Sequence, residues 1–535
     1  MSEPVGTVSE PGSAGQRPAG WSAPGAALVR SAMTDPVPDA DTLGRVHVIG
    51  IGGTGMSGLA RILLARGVPV SGSDARDSAS VAALRALGAQ VHIGHAPANL
   101  GERGSALEPT TVVYSTAIAP GNPELAEARE RGLQVVRRAA ALASVIASRR
   151  GVAVAGTHGK TSTTSLLTIA AQACGLDPSF AIGGNLYESG LNAHEGTGDL
   201  FIVEADESDG SFLMLAPEAA IVTNVEADHL ENHGDLAGVQ RAFELFVDRI
   251  AAGGVLLVCA DDPGARSLAG YAAGVAGRRE PPMRVLTYGE SADADVRVTE
   301  ITEGPTSVEA TVAGPLIGRI RLTLSGLVGR HMALNGAGAL ALAAQLGMDP
   351  AVVAEAFASF GGVHRRFEPR GAAEGVRAYD DYAHHPTEIA ATLRAARPVV
   401  GDGRLIAVFQ PGTFSRTQVF AREFAQAMAL ADIAVVMDVY PAREEPIPGV
   451  TGASIAELIP LPPERIIYEA SWSATPARIA AVARPGDVVV TMGIGDVYLL
   501  CPEILSAAGE AIRARRGAAE SAAAESDGSA VEGGG

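Results

Sequence analysis

Val152-Ala153-Val154-Ala155-Gly156-Thr157-His158-Gly159-Lys160-Thr161-Ser162-Thr163-Thr164 reads as an apolar strand that breaks into a glycine loop and restarts as a helix. The glycines and the first helical N–H groups offer donors to phosphate oxygens, Lys160 adds a point charge, and Thr161 carries a hydroxyl suited to Mg²⁺. A nucleoside triphosphate site over Gly156, Thr157, His158, Gly159, Lys160, Thr161 and Ser162 follows. Two residues separate Gly156 from the Gly159-Lys160 pair, where the common phosphate loop has four. A plain strand-to-helix turn would need neither the lysine nor the unbroken run of hydroxyl residues behind it.

Outward from this stretch, short β-branched runs alternate with Ala/Leu-rich stretches, the pattern of parallel sheets with crossover helices. The fold class is α/β, and 535 residues suit about three domains. We place them at residues 45–150, 151–361 and 362–516, the first and third Rossmann-like and the second a phosphate-loop ATPase with a mainly parallel sheet. Within the second, residues 295–324 largely alternate apolar and polar, as a local antiparallel element would. Residues 1–44, rich in Gly, Pro, Ser and Ala, read as a disordered extension without a secretion signal, and residues 517–535 as a solvated tail. Met33 stands just ahead of the first ordered segment and is a candidate translation start.

Composition narrows the function classes. There are 60 acidic against 41 basic side chains, a formal charge of −19, and no long basic block, which argues against a nucleic-acid partner. No apolar stretch is long enough to span a bilayer. Cys174, Cys259 and Cys501 are few and far apart, which fits a reducing cytoplasm and neither a disulfide framework nor a cysteine zinc site.

A second glycine loop precedes the first. Val46-His47-Val48-Ile49 runs into Gly50-Ile51-Gly52-Gly53-Thr54-Gly55, and Asp74 follows a strand expected at Val68–Ser71, where its carboxylate could reach a ribose hydroxyl. Alone, this loop favours a nicotinamide-binding domain. The lysine-bearing loop at Gly156 shifts the balance to nucleotide triphosphate chemistry and leaves an oxidoreductase or a non-catalytic nucleotide sensor as rival classes.

Two acidic clusters follow apolar strands: Glu204-Ala205-Asp206-Glu207-Ser208-Asp209 after Leu200–Val203, and Asn224-Val225-Glu226-Ala227-Asp228-His229 after Ala220–Thr223. Both fall at the carboxyl edge of a sheet, where ligands bind, and one pocket could collect them. Glu204 and Thr161 are natural Mg²⁺ ligands, and His229 a less usual one. In the third block, Tyr379-Asp380-Asp381-Tyr382-Ala383-His384-His385-Pro386-Thr387-Glu388 suits substrate positioning better than zinc, because adjacent histidines cannot share one helix face. His364-Arg365-Arg366-Phe367-Glu368 brings guanidinium groups that could neutralise a transferring phosphate.

Gly156 to Thr161, Glu204 to Ser208, Asn224 to His229, Gly329-Arg330-His331, Arg365-Arg366-Phe367 and Asp380 to Pro386 together resemble the Mur ligase family, over about Val46 to Ile494. The likeness implies three domains: one holding a UDP sugar, one holding ATP, and one closing over the site. Motif order resembles the branch that joins L-alanine to the lactyl carboxylate of UDP-N-acetylmuramate in peptidoglycan precursor synthesis. ATP and Mg²⁺ are implied, with an acyl-phosphate intermediate and release of ADP and phosphate. The recycling branch, which adds a preformed tripeptide to the same sugar, is the alternative.

By the same resemblance, Lys160 holds the transferring phosphate, Thr161, Glu204 and His229 serve the metal, and Asn335 contacts adenine. Arg366 and Asp381 complete the catalytic group from the C-terminal side, and His384 and His385 lie on the amino-acid side. Gly52, Gly53, Thr54, Gly55, Ser73, Asp74 and Ser115 lie by the uridine nucleotide. Two departures stand out: Met332 occupies a position where relatives often carry Asn, and Gly412 one where they often carry His. The Gly361-Gly362 pair is a candidate hinge for domain closure.

Overall fold

The computed structural model describes residues 35–529 apart from 188, 442 and 443. Met33 and the first 34 residues of the expected extension lie outside the described residues. Residues 35–44 do not behave as an unstructured extension. Leu43 is buried in the first core, its carbonyl accepts hydrogen bonds from the hydroxyls of Thr110 and Thr111 at 2.7 Å each, and Asp35 pairs with Arg137 at 2.6 Å.

The first domain has five parallel strands, β1 (Val46–Ile49), β2 (Val70–Asp74), β3 (Gln90–Ile93), β4 (Thr111–Tyr114) and β5 (Gln134–Arg137), in the order β3-β2-β1-β4-β5. β2 begins two residues later than expected and includes Asp74. Because β1 has β2 on one side and β4 on the other, the glycine loop after Ile49 sits where strand order reverses.

The central domain is built on β6 (Arg150–Ala155), β7 (Ser179–Ala181), β8 (Ala193–His194), β9 (Leu200–Glu204), β10 (Ala219–Val222), β11 (Val255–Cys259), β12 (Arg284–Gly289), β13 (Val296–Glu303), β14 (Ser307–Gly314) and β15 (Gly318–Ser325). They form one sheet in the order β15-β14-β13-β12-β11-β10-β6-β9-β7-β8. β13, β14 and β15 pair antiparallel, as their alternating pattern implies, and β7–β8 is the other antiparallel pair. β6 lies between β9 and β10, with Val154 opposite Glu204 and Ala155 opposite Val222. That register sets both acidic clusters on either side of the phosphate loop.

The third domain has β16 (Glu368–Ala373), β17 (Val376–Asp381), β18 (Leu405–Phe409), β19 (Ile433–Met437), β20 (Ile466–Glu469) and β21 (Val488–Met492), in the order β16-β17-β21-β18-β19-β20, parallel except for β16 against β17. The final helix, Leu500–Ser529, runs straight past Gly517. The backbone is therefore helical at residues 517–529, where a tail was expected: the run of Ala and Glu favours a helix enough to outweigh one glycine. Ile504, Ala508 and Ile512 anchor the first turns in the core, and residues 513–521 are exposed, so only the near end is held by packing.

Candidate active site

The phosphate loop owes its shape to two glycines. Gly156 has φ 136°, and a Cβ there would lie 2.0 Å from the hydroxyl oxygen of Thr223; Gly159 has φ 81° and packs against Asn335. Neither position accepts a side chain. The helix Lys160–Ala173 that follows explains the hydroxyl run differently from metal binding. Thr164, Ser165 and Thr168 donate to carbonyls one turn earlier at 2.8 Å each, which satisfies them inside the protein. Ser162 is likewise buried in this helix and does not line the cleft.

Lys160 and Thr161 face the ligand side. The Lys160 ammonium donates to the carbonyls of Gly156 and Thr157 at 2.7 and 3.1 Å and pairs with Glu207 at 2.8 Å. Burial opposes its charge, but Glu207 and Asp206 outweigh that and raise its pKa. The Thr161 hydroxyl donates to Glu204 Oε1 at 3.0 Å, and Gly183 N–H donates to Glu204 Oε2 at 2.7 Å. Two hard oxygen donors thus meet beside the lysine, a set that fits Mg²⁺.

His229 has φ 50° and lies 3.6 Å from Asp228 and 3.4 Å from Glu231. Burial works against its proton, yet Asp228 and then Glu231 raise its pKa to about 9. As a metal ligand it would first have to give that proton up.

The third domain reaches across to this loop at several points. Arg366 donates to the Thr161 hydroxyl at 3.2 Å, Thr387 to Glu226 at 2.7 Å, and Arg416 pairs with Asp228 at 2.6 Å with both side chains nearly sealed from solvent. His158 meets Glu388 at 3.2 Å and Glu226 at 3.7 Å and packs on His385 with ring centroids 4.7 Å apart. Burial would discharge His158, but Glu226 and Glu388 together raise its pKa to about 10. His158, Glu226 and His385 hold donor atoms within 4.8 Å of one another; an imidazolium between two carboxylates accounts for that cluster without a cation.

One cleft of about 820 Å³ runs through all three domains. Gly53, Thr54, Gly55 and Ser115 line it from the first domain, Thr157 to Thr161, Glu204, Asp228 and His229 from the second, and Arg366, Tyr382 and His384 from the third. Asn192 joins the first two domains by donating to Thr54 O at 2.8 Å.

Other expected residues sit behind the wall. Ser73 is fully buried and donates to Glu124 at 2.5 Å, and the Asp74 carboxylate accepts from Gly52 N–H at 2.9 Å. Gly52, Ser73 and Asp74 therefore shape the loop and do not line the cleft. Although burial opposes its charge, Glu124 is held at a pKa of about 2 by the nearby His47 ring, 3.8 Å away, and by hydrogen bonds from Ser73 and Asn99. Asp381, expected in the catalytic group, accepts from Phe367 and Ala383 N–H at 2.8 Å each and so fixes the segments bearing Arg366 and His384.

His385 caps the helix Pro386–Val400 from inside, while its neighbour His384 faces the cleft. Asn335 is buried one turn after Met332, whose sulfur lies 3.8 Å from the Asn335 amide. The hinge candidate Gly362 has φ 102°, and its carbonyl accepts from Tyr187 N–H at 3.2 Å.

Sequence reasoning missed Arg137 and Arg138 on the cleft wall, Arg138 packing on Gly55. The signal was present: two arginines at the carboxyl end of β5, at the same sheet edge as the glycine loop.

The profile of the Mur ligase family catalytic domain matches residues 45–150, that of the Mur ligase middle domain residues 154–343, and that of the Mur ligase glutamate ligase domain residues 365–495. The chain is 55% identical over 464 residues to the UDP-N-acetylmuramate--L-alanine ligase of Saccharopolyspora erythraea, covering 87% of this chain and 93% of that one. It is 54% identical to the enzyme of the same name from Acidothermus cellulolyticus, covering 88% and 96%. Among solved structures, the UDP-N-acetylmuramate-alanine ligase of Thermotoga maritima superposes with a TM-score of 0.70 at 26% identity, over 86% of this chain and 98% of that one. A murein peptide ligase from Psychrobacter arcticus gives 0.64 at 25% identity, over 87% and 99%.

Proposed function

The chain belongs to the Mur ligase family, and from that premise we propose how its cleft works as an ATP-dependent UDP-N-acetylmuramate--L-alanine ligase. It joins the lactyl carboxylate of the sugar to the amine of L-alanine, a step of peptidoglycan precursor synthesis. The observation that carries the mechanism is the single cleft that collects the glycine loop of the first domain, Lys160, Thr161 and Glu204 of the second, and Arg366 and His384 of the third.

A carboxylate is a poor electrophile at neutral pH, so its oxygen first attacks the terminal phosphorus of ATP, ADP leaves, and an acyl phosphate forms. Lys160, the N–H groups opening its helix, and Arg366 meet the charge on the transferring phosphate. Thr161 and Glu204 would hold Mg²⁺, with His229 on the same cleft wall, and the ion would further neutralise phosphate charge.

The alanine amine then attacks the acyl carbon, and the tetrahedral adduct collapses by expelling phosphate, which carries away the proton lost from the amine nitrogen. His384 suits the amine side. Burial pushes its pKa down to about 4, and its Nδ1 lies 3.0 Å from Tyr382 O and 3.2 Å from Glu388. With Nδ1–H donating there, Nε2 is left as an acceptor toward the cleft. Closure of the third domain keeps water from the acyl phosphate. The use of ATP and a nucleotide sugar supports a cytoplasmic reading; among the described residues no helix is long and apolar enough to cross a membrane.

The test is isotopic. With ¹⁸O in the lactyl carboxylate, one labelled oxygen should appear in the released phosphate. Unlabelled phosphate, with the departing labelled oxygen recovered in water or in the nucleotide product, would sink the acyl-phosphate route.

A further inference from the structure

Gly412 stands where the family resemblance leads one to expect an imidazole, and a neighbour has taken that room. A Cβ built on Gly412 would lie 2.5 Å from both Cδ1 and Cγ1 of Ile494. Such distances fall far inside van der Waals contact, so no side chain at 412 can coexist with Ile494 as it is placed.

Ile494 is only partly buried and lines the central cleft together with Tyr382, His384 and Asp228. Its backbone is anchored on the N-terminal side, at Gly493 and Met492. Arg365 donates to Gly493 O at 2.7 Å while lying 4.9 Å from the centre of the Tyr382 ring, and Gln410 N–H donates to Met492 O at 3.0 Å. Gly412 in turn bridges to Tyr440, and Tyr440 N–H donates to Pro411 O at 2.8 Å. Each segment is thus tied by backbone hydrogen bonds next to the point where Gly412 and Ile494 meet.

We propose that Ile494, seated in the room left by Gly412, is the apolar wall met by the side chain of the incoming amino acid, and that this pair sets the upper size of the amino acid accepted. The proposal rests on the reading that the amino acid enters beside Tyr382 and His384. A branched apolar wall suits a methyl group and crowds longer side chains on that face of the cleft. One methylene in such a pocket discriminates by about 10- to 200-fold, so trimming the wall shows directly in relative rates.

The experiment compares kcat/KM for L-alanine, L-2-aminobutyrate and L-valine in the wild-type enzyme, Ile494→Ala, Gly412→Ala and the double variant, with thermal melting of each. In Ile494→Ala the ratio of 2-aminobutyrate to alanine should rise at least tenfold, chiefly through KM for the amino acid, with KM for ATP within twofold of wild type. Gly412→Ala should lose activity with alanine, and Ile494→Ala in the same chain should restore part of it. A ratio that moves less than threefold in a variant melting like the wild type overturns the proposal. If Ile494→Ala melts early, Ile494→Val must shift the ratio in the same direction by a smaller factor, and no shift there also overturns it. A wild-type enzyme that releases no phosphate with alanine would refute the functional reading instead, so the two failures are distinguishable.

Discussion

Replacing Glu207 by Gln should weaken the empty enzyme and tighten its hold on nucleotide. In the structure the Lys160 ammonium is fully engaged: two loop carbonyls and Glu207 take its protons, and the Glu207 and Lys160 side chains are only 3% and 14% exposed. A nucleotide phosphate has to compete with Glu207 for the same charge. Removing one partner of a buried pair costs about 3–5 kcal/mol, because the other charge is left uncompensated. Asp206 and Glu204 also act on Lys160, so the low end, about 3 kcal/mol, is the expected cost.

For a domain of this size that cost is a fall in Tm of roughly 6–12 °C without nucleotide. Because bound phosphate supplies the missing countercharge, the same free energy returns as tighter nucleotide binding, up to about 100-fold. The assay is thermal melting with and without a non-hydrolysable ATP analogue, together with its Kd. A nucleotide-induced shift in Glu207→Gln equal to or smaller than that of the wild type would refute the reasoning.

The clasp around His158 predicts a pH dependence. Its pKa is raised from the ordinary 6.5 to about 10, so its contribution to stability is complete below pH 6.5 and is lost as pH rises through about 10. The Tm difference between the wild type and His158→Asn should shrink over that window, and a difference constant from pH 6 to 10 would contradict it. Ser73→Ala removes a charge-assisted hydrogen bond to buried Glu124 and should cost about 1.5–3 kcal/mol of stability while leaving KM for the UDP sugar within twofold. Denaturant unfolding and steady-state kinetics would check both halves. Arg366→Lys should lower kcat by about 10²-fold at nearly unchanged Tm, because a point charge does not reproduce the guanidinium fork that reaches Thr161.

The strand-loop-helix units were legible because each combines an apolar run, glycines and a helical restart within a dozen residues. Chain order even implied that Glu204 would lie beside Thr161, since both follow strands of one parallel sheet, and the register of Val154 with Glu204 bears this out. What lay beyond reach were partners distant in sequence. Nothing near Ser73 announces its buried partner Glu124, 51 residues on. His384 and His385 are adjacent and chemically alike, and only the cap of the following helix decides which one turns inward. The helical stretch beyond Gly517 was obscured by a composition that also suits solvated tails, and the fit of Ile494 into the room beside Gly412 joins residues 82 positions apart, across β18 and β21.

The most direct test of the central claim is phosphate release from ATP with Mg²⁺ and UDP-N-acetylmuramate, measured with and without L-alanine and with Lys160→Met as control. Release that depends on alanine and disappears in Lys160→Met is the predicted result. Release with a tripeptide in place of alanine, or release that survives the loss of Lys160, would contradict the account.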